Sequence, residues 1–398
     1  MPDRPLSILV AAPAYWPAAA FGGPIPVMRE LVRRLVERGH RVDVVTTTLV
    51  DLHRRPAARS STALVDGATV HYVGTPLAYR WMGITPTLPL ALARLPKPDV
   101  AHVFGFRDPV STGTALWCRA RGIPYVLEPL GMFRPRLRKL RLKEAFDRGL
   151  GRPVARGAEA VLTASARERA DVLAFGLDPA RVLVRGNGFP EPPSPPPDGA
   201  AARAALGIPG DAPTALYVGR IADGKGIELL VEAARRTPDA HGVVVGPDDR
   251  HAATERLRLA RAEPGLAARL HVLPPTDGPP WHLYAAADVL VLASAGESFG
   301  MAAAEAAASG TPVVVSDRCG VSDRFEEGEA LVVPYEPEPV VEQVRDLLAD
   351  PALREQLATG AAEAARRNAW SAVADRQEAI YRAAAARTVS TKLSMLGS

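Results

Sequence analysis

Short apolar runs alternate along this chain with stretches of helical spacing, and this alternation constrains its fold most. The runs are rich in valine and leucine and too short for helices, as in Leu6–Ala12, Thr214–Val218 and Ala287–Ala293. Such runs are typical of strands buried on both faces of a parallel sheet. Between them, stretches such as Ile25–Gly39 have helical spacing and end at glycine. The pattern predicts an α/β protein, and 398 residues suffice for two domains.

Two glutamates follow the apolar run Ala287–Ala293. Glu297 lies in the loop after this predicted strand, and Glu305 lies in the alanine-rich helix that follows. The carboxyl ends of strands are where open α/β sheets bind ligands. Taken alone, the pair also fits a solvated helix face.

The same junction predicts an anion site on the backbone. The amides of Phe299, Gly300 and Met301 begin the helix without intrahelical partners, so they would face an anionic ligand. Gly300 has no Cβ, which lets a ligand approach the backbone closely.

A second strand-to-helix junction carries two cations. The loop Gly219–Gly226 contains Arg220 and Lys225 and lies between the run Thr214–Val218 and the helical stretch Ile227–Ala233. Arginine offers a planar fork to phosphate oxygens and lysine offers a point charge. The alternative is a tight turn with two exposed cations.

Together these motifs resemble those of the retaining glycosyltransferases of family 4. That family carries a Gly-Arg-x4-Lys-Gly loop followed later by a Glu-x7-Glu element, and the resemblance covers nearly the whole chain. It implies the GT-B fold, in which two Rossmann-like domains with parallel sheets face each other across a cleft.

The resemblance also implies a reaction. A sugar would pass from a nucleotide-sugar donor to an acceptor hydroxyl with retention of configuration. Arg220, Lys225 and the helix start would stabilise the departing diphosphate. Glu305 would accept hydrogen bonds from the ribose hydroxyls, and Glu297 would contact the sugar or support a cationic transition state.

Further donor contacts are implied at glycines and at one loop. Gly22 and Gly23 would let backbone amides approach the donor phosphate and the acceptor, although the pair also fits a flexible loop before Pro24. The remaining candidates are glycines that follow predicted strands and a loop expected to meet the nucleobase: Gly219, Gly246, Leu273 and Pro274.

Acceptor-side candidates lie in the amino-terminal half. His102 ends a predicted strand near the expected cleft, where a structural histidine is the alternative. Leu130 occupies the position where many relatives have a histidine that contacts the donor sugar, often at its C6 hydroxyl. Leucine cannot form that hydrogen bond, which favours a donor without a C6 hydroxyl, such as a deoxysugar or pentose. Alternatively, Glu128 or a neighbour makes the polar contact.

Four segments are expected along the chain. Residues 1–188 form an acceptor-side Rossmann-like domain, 189–212 a proline-rich linker and 213–369 the nucleotide-sugar domain. Residues 370–398 are expected to form a helix that crosses back onto the first domain.

Composition and charge bear on location. There are two distant cysteines, no signal pattern and no run long enough to span a membrane, so we expect a cytoplasmic protein. Residues 134–156 hold nine basic and two acidic side chains in an amphipathic pattern. This stretch could contact an anionic membrane from the inner face, bind an acidic soluble acceptor or form a solvated face. A net charge of +4 does not call for nucleic acid.

The sequence also bears on metal ions, cofactors and alternative functions. No Asp-x-Asp occurs and fixed cations can replace a metal, so neither metal nor cofactor is expected. A nucleotide-sugar hydrolase or a catalytically silent nucleotide-sugar-binding protein remains an alternative. An oxidoreductase is disfavoured because no Gly-x-Gly-x-x-Gly follows an opening strand.

Overall fold

The chain folds into two compact units in the computed structural model, which describes residues 4–51, 54–79, 81–133, 144–248 and 252–387. One unit comprises Met1–Asn187 and the chain from Trp370, and the other comprises Gly188–Ala369. The segment 189–212, predicted as a linker, belongs to the second unit and contains the helix Gly199–Leu206. Asp198 starts this helix because its carboxylate accepts hydrogen bonds from the first amides.

The first unit is built on a mostly parallel sheet. Its strands and an outlying hairpin are β1 Ser7–Ala11, β2 Arg41–Thr47, β3 Ser61–Val65, β4 Ala68–Val73, β5 Leu77–Tyr79, β6 Met82–Ile84, β7 Val100–Phe104, β8 Tyr125–Glu128, β9 Ala160–Thr163 and β10 Val182–Val184. In the described part of the chain the sheet has eight strands in the order β10-β9-β8-β7-β1-β2-β4-β3, and β5 pairs with β6 separately. Only β3 runs antiparallel to its neighbour among the described strands of this sheet.

Helices cover both faces of this sheet. The α-helices are Pro24–Glu37, Leu88–Arg94, Pro109–Arg121, Arg152–Gly157, Ala166–Ala174 and Trp370–Ala385, with 3-10 turns at Ala19–Phe21 and Pro179–Arg181 and a π-helical turn at Asp147–Gly151. The residues at the two ends of the helix Pro109–Arg121 show how the sequence sets where a helix begins and ends. Asp108 caps its first turn, and Gly122 ends it in the left-handed conformation at φ 62°.

Three short strands are absent from the sequence prediction. The strands β3 and β5 have mostly exposed residues and β6 has only three residues, so they lack the buried apolar runs that predicted the others. The basic stretch 134–156 is described only from residue 144, where it is helical; residues 134–143 lie outside the described chain. No helix among the described residues is long and apolar enough to cross a bilayer.

The second unit contains a parallel sheet of six strands in the described chain. They are β11 Thr214–Val218, β12 His241–Val245, β13 Leu270–Leu273, β14 Val289–Leu292, β15 Val313–Ser316 and β16 Leu331–Val333. Their order is β13-β12-β11-β14-β15-β16. The chain moves outward from β11 through β12 and β13, then returns to the other side of β11 with β14. The strand order therefore reverses between β11 and β14, and ligands bind at such a point in open α/β sheets.

The helices of the second unit follow the same alternation with its strands. They are Gly199–Leu206, Ile227–Arg236, Ala252–Arg261, Trp281–Ala286, Met301–Ala308, Pro337–Ala349 and Pro351–Arg367, with a 3-10 turn at Gly320–Arg324. Two of them, Ile227–Arg236 and Met301–Ala308, begin in the loops that leave β11 and β14. Both predicted motifs thus lie at the reversal point.

Candidate active site

Lys225 and Glu297 form an ion pair where β11 and β14 end. The Lys225 Nζ lies 2.9 Å from Oε1 and 2.8 Å from Oε2 of Glu297. The side chains are 23% and 27% exposed, so a ligand can reach both. The structure therefore brings together two residues that the sequence placed in separate motifs.

Backbone contacts hold the two loops together. The amide of Ala295 donates to the carbonyl oxygen of Gly224 at 2.8 Å, and the Ser294 hydroxyl donates to that of Lys225 at 3.3 Å. Gly226 has φ 76°, and a Cβ there would lie 2.1 Å from the Ala293 carbonyl oxygen. Glycine is required at this position by both conformation and space.

The ends of β11 and β12 meet at two glycines. The Gly219 amide donates to the carbonyl oxygen of Val245 at 2.9 Å, and a Cβ on Gly246 would lie 1.9 Å from the Gly219 carbonyl oxygen. Tyr217 supports the turn because its hydroxyl donates to the Arg220 carbonyl oxygen at 2.9 Å. The Arg220 side chain is exposed at this edge of the sheet.

Gly300 begins the helix that carries Glu305. Its φ is 111°, and a Cβ there would lie 2.8 Å from Cδ2 of Leu292. The buried Phe299 ring lies 6.4 Å from that of Phe189, so this side chain belongs to the core. Any ligand contact at Phe299 would therefore come from its backbone. Met301 opens the helix and is partly exposed.

Glu305 lies one turn into that helix and accepts a hydrogen bond from a buried tyrosine. The Tyr284 hydroxyl donates to Oε2 of Glu305 at 2.7 Å. Burial raises the pKa of Glu305 to about 7, and this hydrogen bond partly opposes the rise. The carboxyl group is thus poised to gain or lose a proton near neutral pH. The sequence showed no sign of this tyrosine partner.

The predicted base-contacting pair lies at the end of β13. The carbonyl oxygen of Leu273 accepts from the Gly246 amide at 3.3 Å, which ties this strand end to the glycine turn. Pro274 follows and is exposed. Both residues lie at the carboxyl edge of the sheet, where the sequence predicted them. Their contact with a nucleobase stays a prediction.

Gly22 and Gly23 precede the helix Pro24–Glu37 in the first unit. Gly22 has φ 84°, and its carbonyl oxygen accepts from the Ile25 amide at 3.1 Å. A Cβ on Gly23 would meet nothing within 4 Å. The loop follows β1, so it also lies at the carboxyl edge of its sheet.

The structure places His102 and Glu128 inside the first unit. His102 is fully buried, with Nδ1 2.6 Å from the Tyr381 hydroxyl and Nε2 3.3 Å from Oε2 of Glu128. Arg185, also buried, donates to Oε1 of Glu128 at 2.9 Å and to Gln377 at 3.3 Å. A role of either residue in acceptor binding stays a prediction and would require these contacts to open.

Ionisation within this buried network follows from its geometry. Burial lowers the pKa of His102, which therefore stays neutral despite the neighbouring carboxylate. Burial alone would raise the pKa of Glu128, but the Arg185 charge and the His102 contact outweigh it and lower that pKa. The network is thus a buried Glu–Arg pair with a neutral histidine, and it fixes the helix Trp370–Ala385 through Tyr381.

Leu130 has a left-handed backbone that the sequence did not reveal. Its φ is 54°, and Gly131 follows with φ 74°. Glu168 fixes this turn because its carboxylate accepts hydrogen bonds from the amides of Gly131 and Ala164. Non-glycine residues in this conformation are strained and concentrate at functional sites.

Among the described residues, no three His, Cys, Asp or Glu side chains group in a way that could hold a metal ion.

Comparisons with known proteins identify the family. A family model described as glycosyl transferases group 1 matches residues 199–364, and one described as a glycosyl transferase 4-like domain matches residues 22–188. D-inositol 3-phosphate glycosyltransferase 1 of Catenulispora acidiphila is 30% identical over 410 residues, covering 95% of each chain. The chain belongs to glycosyltransferase family 4. Its predicted family and general function, sugar transfer from a nucleotide-sugar donor, are thereby confirmed.

Other comparisons agree with family 4. D-inositol 3-phosphate glycosyltransferase of Streptomyces bingchenggensis is 35% identical over 254 residues, which are 60% of this chain and 56% of that protein. Sucrose-phosphate synthase of Thermosynechococcus elongatus has a TM-score of 0.72 at 24% identity, covering 94% of this chain and 98% of that one. Anabaena Alr3699/HepE in complex with UDP and glucose has a TM-score of 0.73 at 18% identity, covering 95% and 100%. These structures show that the family 4 chain has the predicted GT-B fold.

Proposed function

We propose that this glycosyltransferase transfers a hexosyl or deoxysugar residue from a nucleoside diphosphate to an acceptor hydroxyl with retention and without a metal ion. The observation that carries the proposal is the partly exposed Lys225–Glu297 pair at the reversal point of the second sheet. A cation that would bind a diphosphate thus lies beside a carboxylate that would contact a sugar.

The cationic side of the site would bind the diphosphate. The side chains of Lys225 and the exposed Arg220 extend from the same loop. The amides of Gly300 and Met301 lie at the start of the helix that follows the neighbouring strand β14. Glu297 holds Lys225 in place, and the helix start holds the amides, so these groups would stabilise the negative charge that develops on the departing diphosphate. An incoming diphosphate would compete with Glu297 for the Lys225 ammonium.

Glu297 would then be available to the sugar. Its carboxylate can accept hydrogen bonds from sugar hydroxyls and can stabilise positive charge on the ring carbon. The proton of the acceptor hydroxyl would pass to a donor phosphate oxygen, so the proposal assigns no carboxylate as general base. Glu305 would accept hydrogen bonds from the ribose diol, with Tyr284 holding its carboxylate in place.

The test begins with donor discovery and ends with product stereochemistry. Thermal shift against nucleotide sugars, starting with UDP-glucose, should identify the donor by its stabilisation of the protein. Transfer to acceptors, starting with inositol phosphate, should give a product with the anomeric configuration of the donor by NMR. These compounds are chosen because the comparison proteins are named for them or bind them. An inverted product would contradict retention, and complete loss of activity in EDTA would contradict metal independence.

Leu130 bears on the donor sugar. Its apolar side chain in the turn after β8 supports a donor without a C6 hydroxyl. Competition between such donors and 6-hydroxylated hexose donors tests this directly. A clear preference for the 6-hydroxylated hexose would show that another group makes the polar contact.

We also propose peripheral contact with an anionic membrane through residues 134–156. In the described part of this stretch Arg148, Leu150, Arg152 and Arg156 are exposed, which combines positive charge with apolar surface. Flotation with anionic and neutral vesicles at low and high salt tests the contact. Equal flotation with both kinds of vesicle, or none with either, would contradict it.

A further inference from the structure

The hairpin of β5 and β6 directs its apolar side chains toward solvent. Leu77 pairs with Ile84, and Tyr79 pairs with Met82, across the two antiparallel strands. Directly opposed residues project from the same side of a sheet, so these four side chains share one face. Leu77, Tyr79 and Ile84 are 62%, 52% and 44% exposed.

The other face of this hairpin lies against the first unit. Gly83 is buried, and a Cβ there would lie 2.8 Å from Cγ2 of both Thr47 and Thr75. A one-residue shift in pairing would put larger side chains against these threonines. The outward position of the apolar face is therefore fixed by the pairing register.

The helix Leu88–Arg94 follows the hairpin in the chain and belongs to a layer of helices. Leu90 on this helix is 61% exposed. The helix packs on Pro109–Arg121, since a Cβ on Gly113 would lie 2.8 Å from Cδ2 of Leu88. Pro109–Arg121 packs in turn on Arg152–Gly157. These three helices form one layer.

Arginines cluster on and beside two other helices of the same layer, Pro109–Arg121 and Arg152–Gly157. A cavity of about 510 Å³ is lined by Arg119, Arg148, Arg152, Arg156, Pro153 and Gly157. All four arginines are exposed, and one of their charges is offset by Glu144, 3.7 Å from Arg148. Each guanidinium group can donate two parallel hydrogen bonds to a phosphate group. A concave cluster of four arginines therefore suits phosphate groups.

We propose that this layer docks on an anionic lipid bilayer, with the β5–β6 hairpin and Leu90 entering the boundary between headgroups and acyl chains. The arginines would contact lipid phosphates at the same time. A second copy of this chain fits less well, because its own arginines would approach the same positive layer. The inference rests on the proposed membrane contact, to which it adds an apolar anchor, and does not depend on sugar transfer.

A fluorescent label at the hairpin tests insertion directly. Both native cysteines, Cys118 and Cys319, are buried, so an introduced Ile84→Cys can be labelled selectively with an environment-sensitive dye. Vesicles of phosphatidylglycerol and phosphatidylcholine should shift its emission to the blue, and lipids spin-labelled near the headgroup should quench it. Leu259→Cys, at an exposed position on the helix Ala252–Arg261 of the second unit, is the matched control and should show neither effect.

Substitutions then separate the apolar anchor from the arginines. Replacing Leu77, Ile84 and Leu90 together by serine should weaken flotation with anionic vesicles by at least about tenfold, because each serine removes apolar area from the contact. Transfer to a water-soluble acceptor should stay within about twofold of wild type, since surface changes of this kind rarely alter folding.

Three results would overturn the inference. The serine variant could float as the wild type does, while a variant with glutamine at Arg148, Arg152 and Arg156 does not float. This result would show a purely electrostatic contact without an apolar anchor. No flotation of the wild type would remove the membrane contact altogether, while leaving sugar transfer intact. A wild-type dimer by light scattering that becomes a monomer in the serine variant would make the hairpin a self-association surface.

Discussion

Both carboxylate oxygens of Glu297 lie within 2.9 Å of the Lys225 ammonium, across the loops that leave β14 and β11. We expect Lys225→Ala to lower kcat/KM on the order of 10²–10³-fold, because the departing diphosphate loses a fixed cation. Steady-state kinetics with the preferred donor measure this. Asp223→Asn is the matched control, since Asp223 lies in the same loop but pairs with Arg256 at an exposed position. A Lys225→Ala enzyme as active as this control would contradict the assignment.

A double-mutant cycle tests whether the pair acts as a unit. Glu297→Gln should lower kcat more than it changes donor affinity, because its role lies in the transition state. The double variant with Lys225→Ala should lose less than the product of the two single losses, since residues in contact couple. Strictly multiplicative losses would show that the two residues act independently.

The raised pKa of Glu305 leads us to expect that donor binding depends on pH. Burial raises its pKa to about 7, and acceptance of ribose hydroxyl protons requires the ionised form. Binding should therefore tighten about tenfold between about pH 6 and about pH 8, as the carboxyl group ionises. Calorimetry with a nucleotide sugar is the measurement, because the diphosphate diester itself does not titrate in this range.

Two variants assign that pH dependence to Glu305. Glu305→Gln should weaken binding and flatten the profile. Tyr284→Phe removes a hydrogen bond that lowers the pKa of Glu305, so the midpoint should move to higher pH. A profile unchanged in both variants would place the titrating group elsewhere.

The same raised pKa bears on stability. The folded state holds a proton on Glu305 above its ordinary pKa of 4.5, so ionisation disfavours the folded form. The free energy of unfolding of the protein alone should fall as the pH rises from 4.5 to about 7, and Glu305→Gln should remove this part of the slope. Urea unfolding at several pH values measures both.

Gly246→Ala should disrupt the donor site through the backbone. The added Cβ would lie 1.9 Å from the Gly219 carbonyl oxygen, so the turns after β11 and β12 must separate. We expect a loss of about 1–3 kcal/mol in stability together with weakened donor binding. Gly210→Ala is the control, because a Cβ there meets nothing within 4 Å. Equal melting temperatures of the two variants would contradict the close approach.

The sequence predicts the strand-to-helix junctions of the second unit because their determinants are local. In each motif a buried apolar run, a glycine and the start of a helix follow one another within about fifteen residues. Since parallel strands end at one edge, the motifs meet there once β11 and β14 are neighbours. The Lys225–Glu297 contact follows from that adjacency, although no local pattern shows the two strands to be neighbours.

Other features could not be predicted because their partners are distant or their residues atypical. Tyr284 reaches Glu305 only through the packing of two helices. The hairpin strands β5 and β6 are three residues long with mostly exposed side chains, so no buried run marks them. Leu130 has a left-handed backbone that leucine disfavours. Its conformation depends on Glu168, 38 residues away in sequence, which fixes the following amide.

The buried pair of Glu128 and Arg185 supports the last prediction. Glu128→Gln should lower the free energy of unfolding by about 3–5 kcal/mol, because Arg185 would keep its charge in the interior without a carboxylate. Glu159→Gln is the control, since Glu159 pairs with the exposed Arg387 at 3.6 Å and such pairs contribute about 0–1 kcal/mol. The lowered pKa of Glu128 adds a pH test: its stabilisation is complete above pH 4.5 and is lost as the pH falls through that lowered pKa. Urea unfolding of the wild type and both variants gives these differences. If Glu128→Gln costs no more than Glu159→Gln, the buried network does not hold the helix Trp370–Ala385 in place.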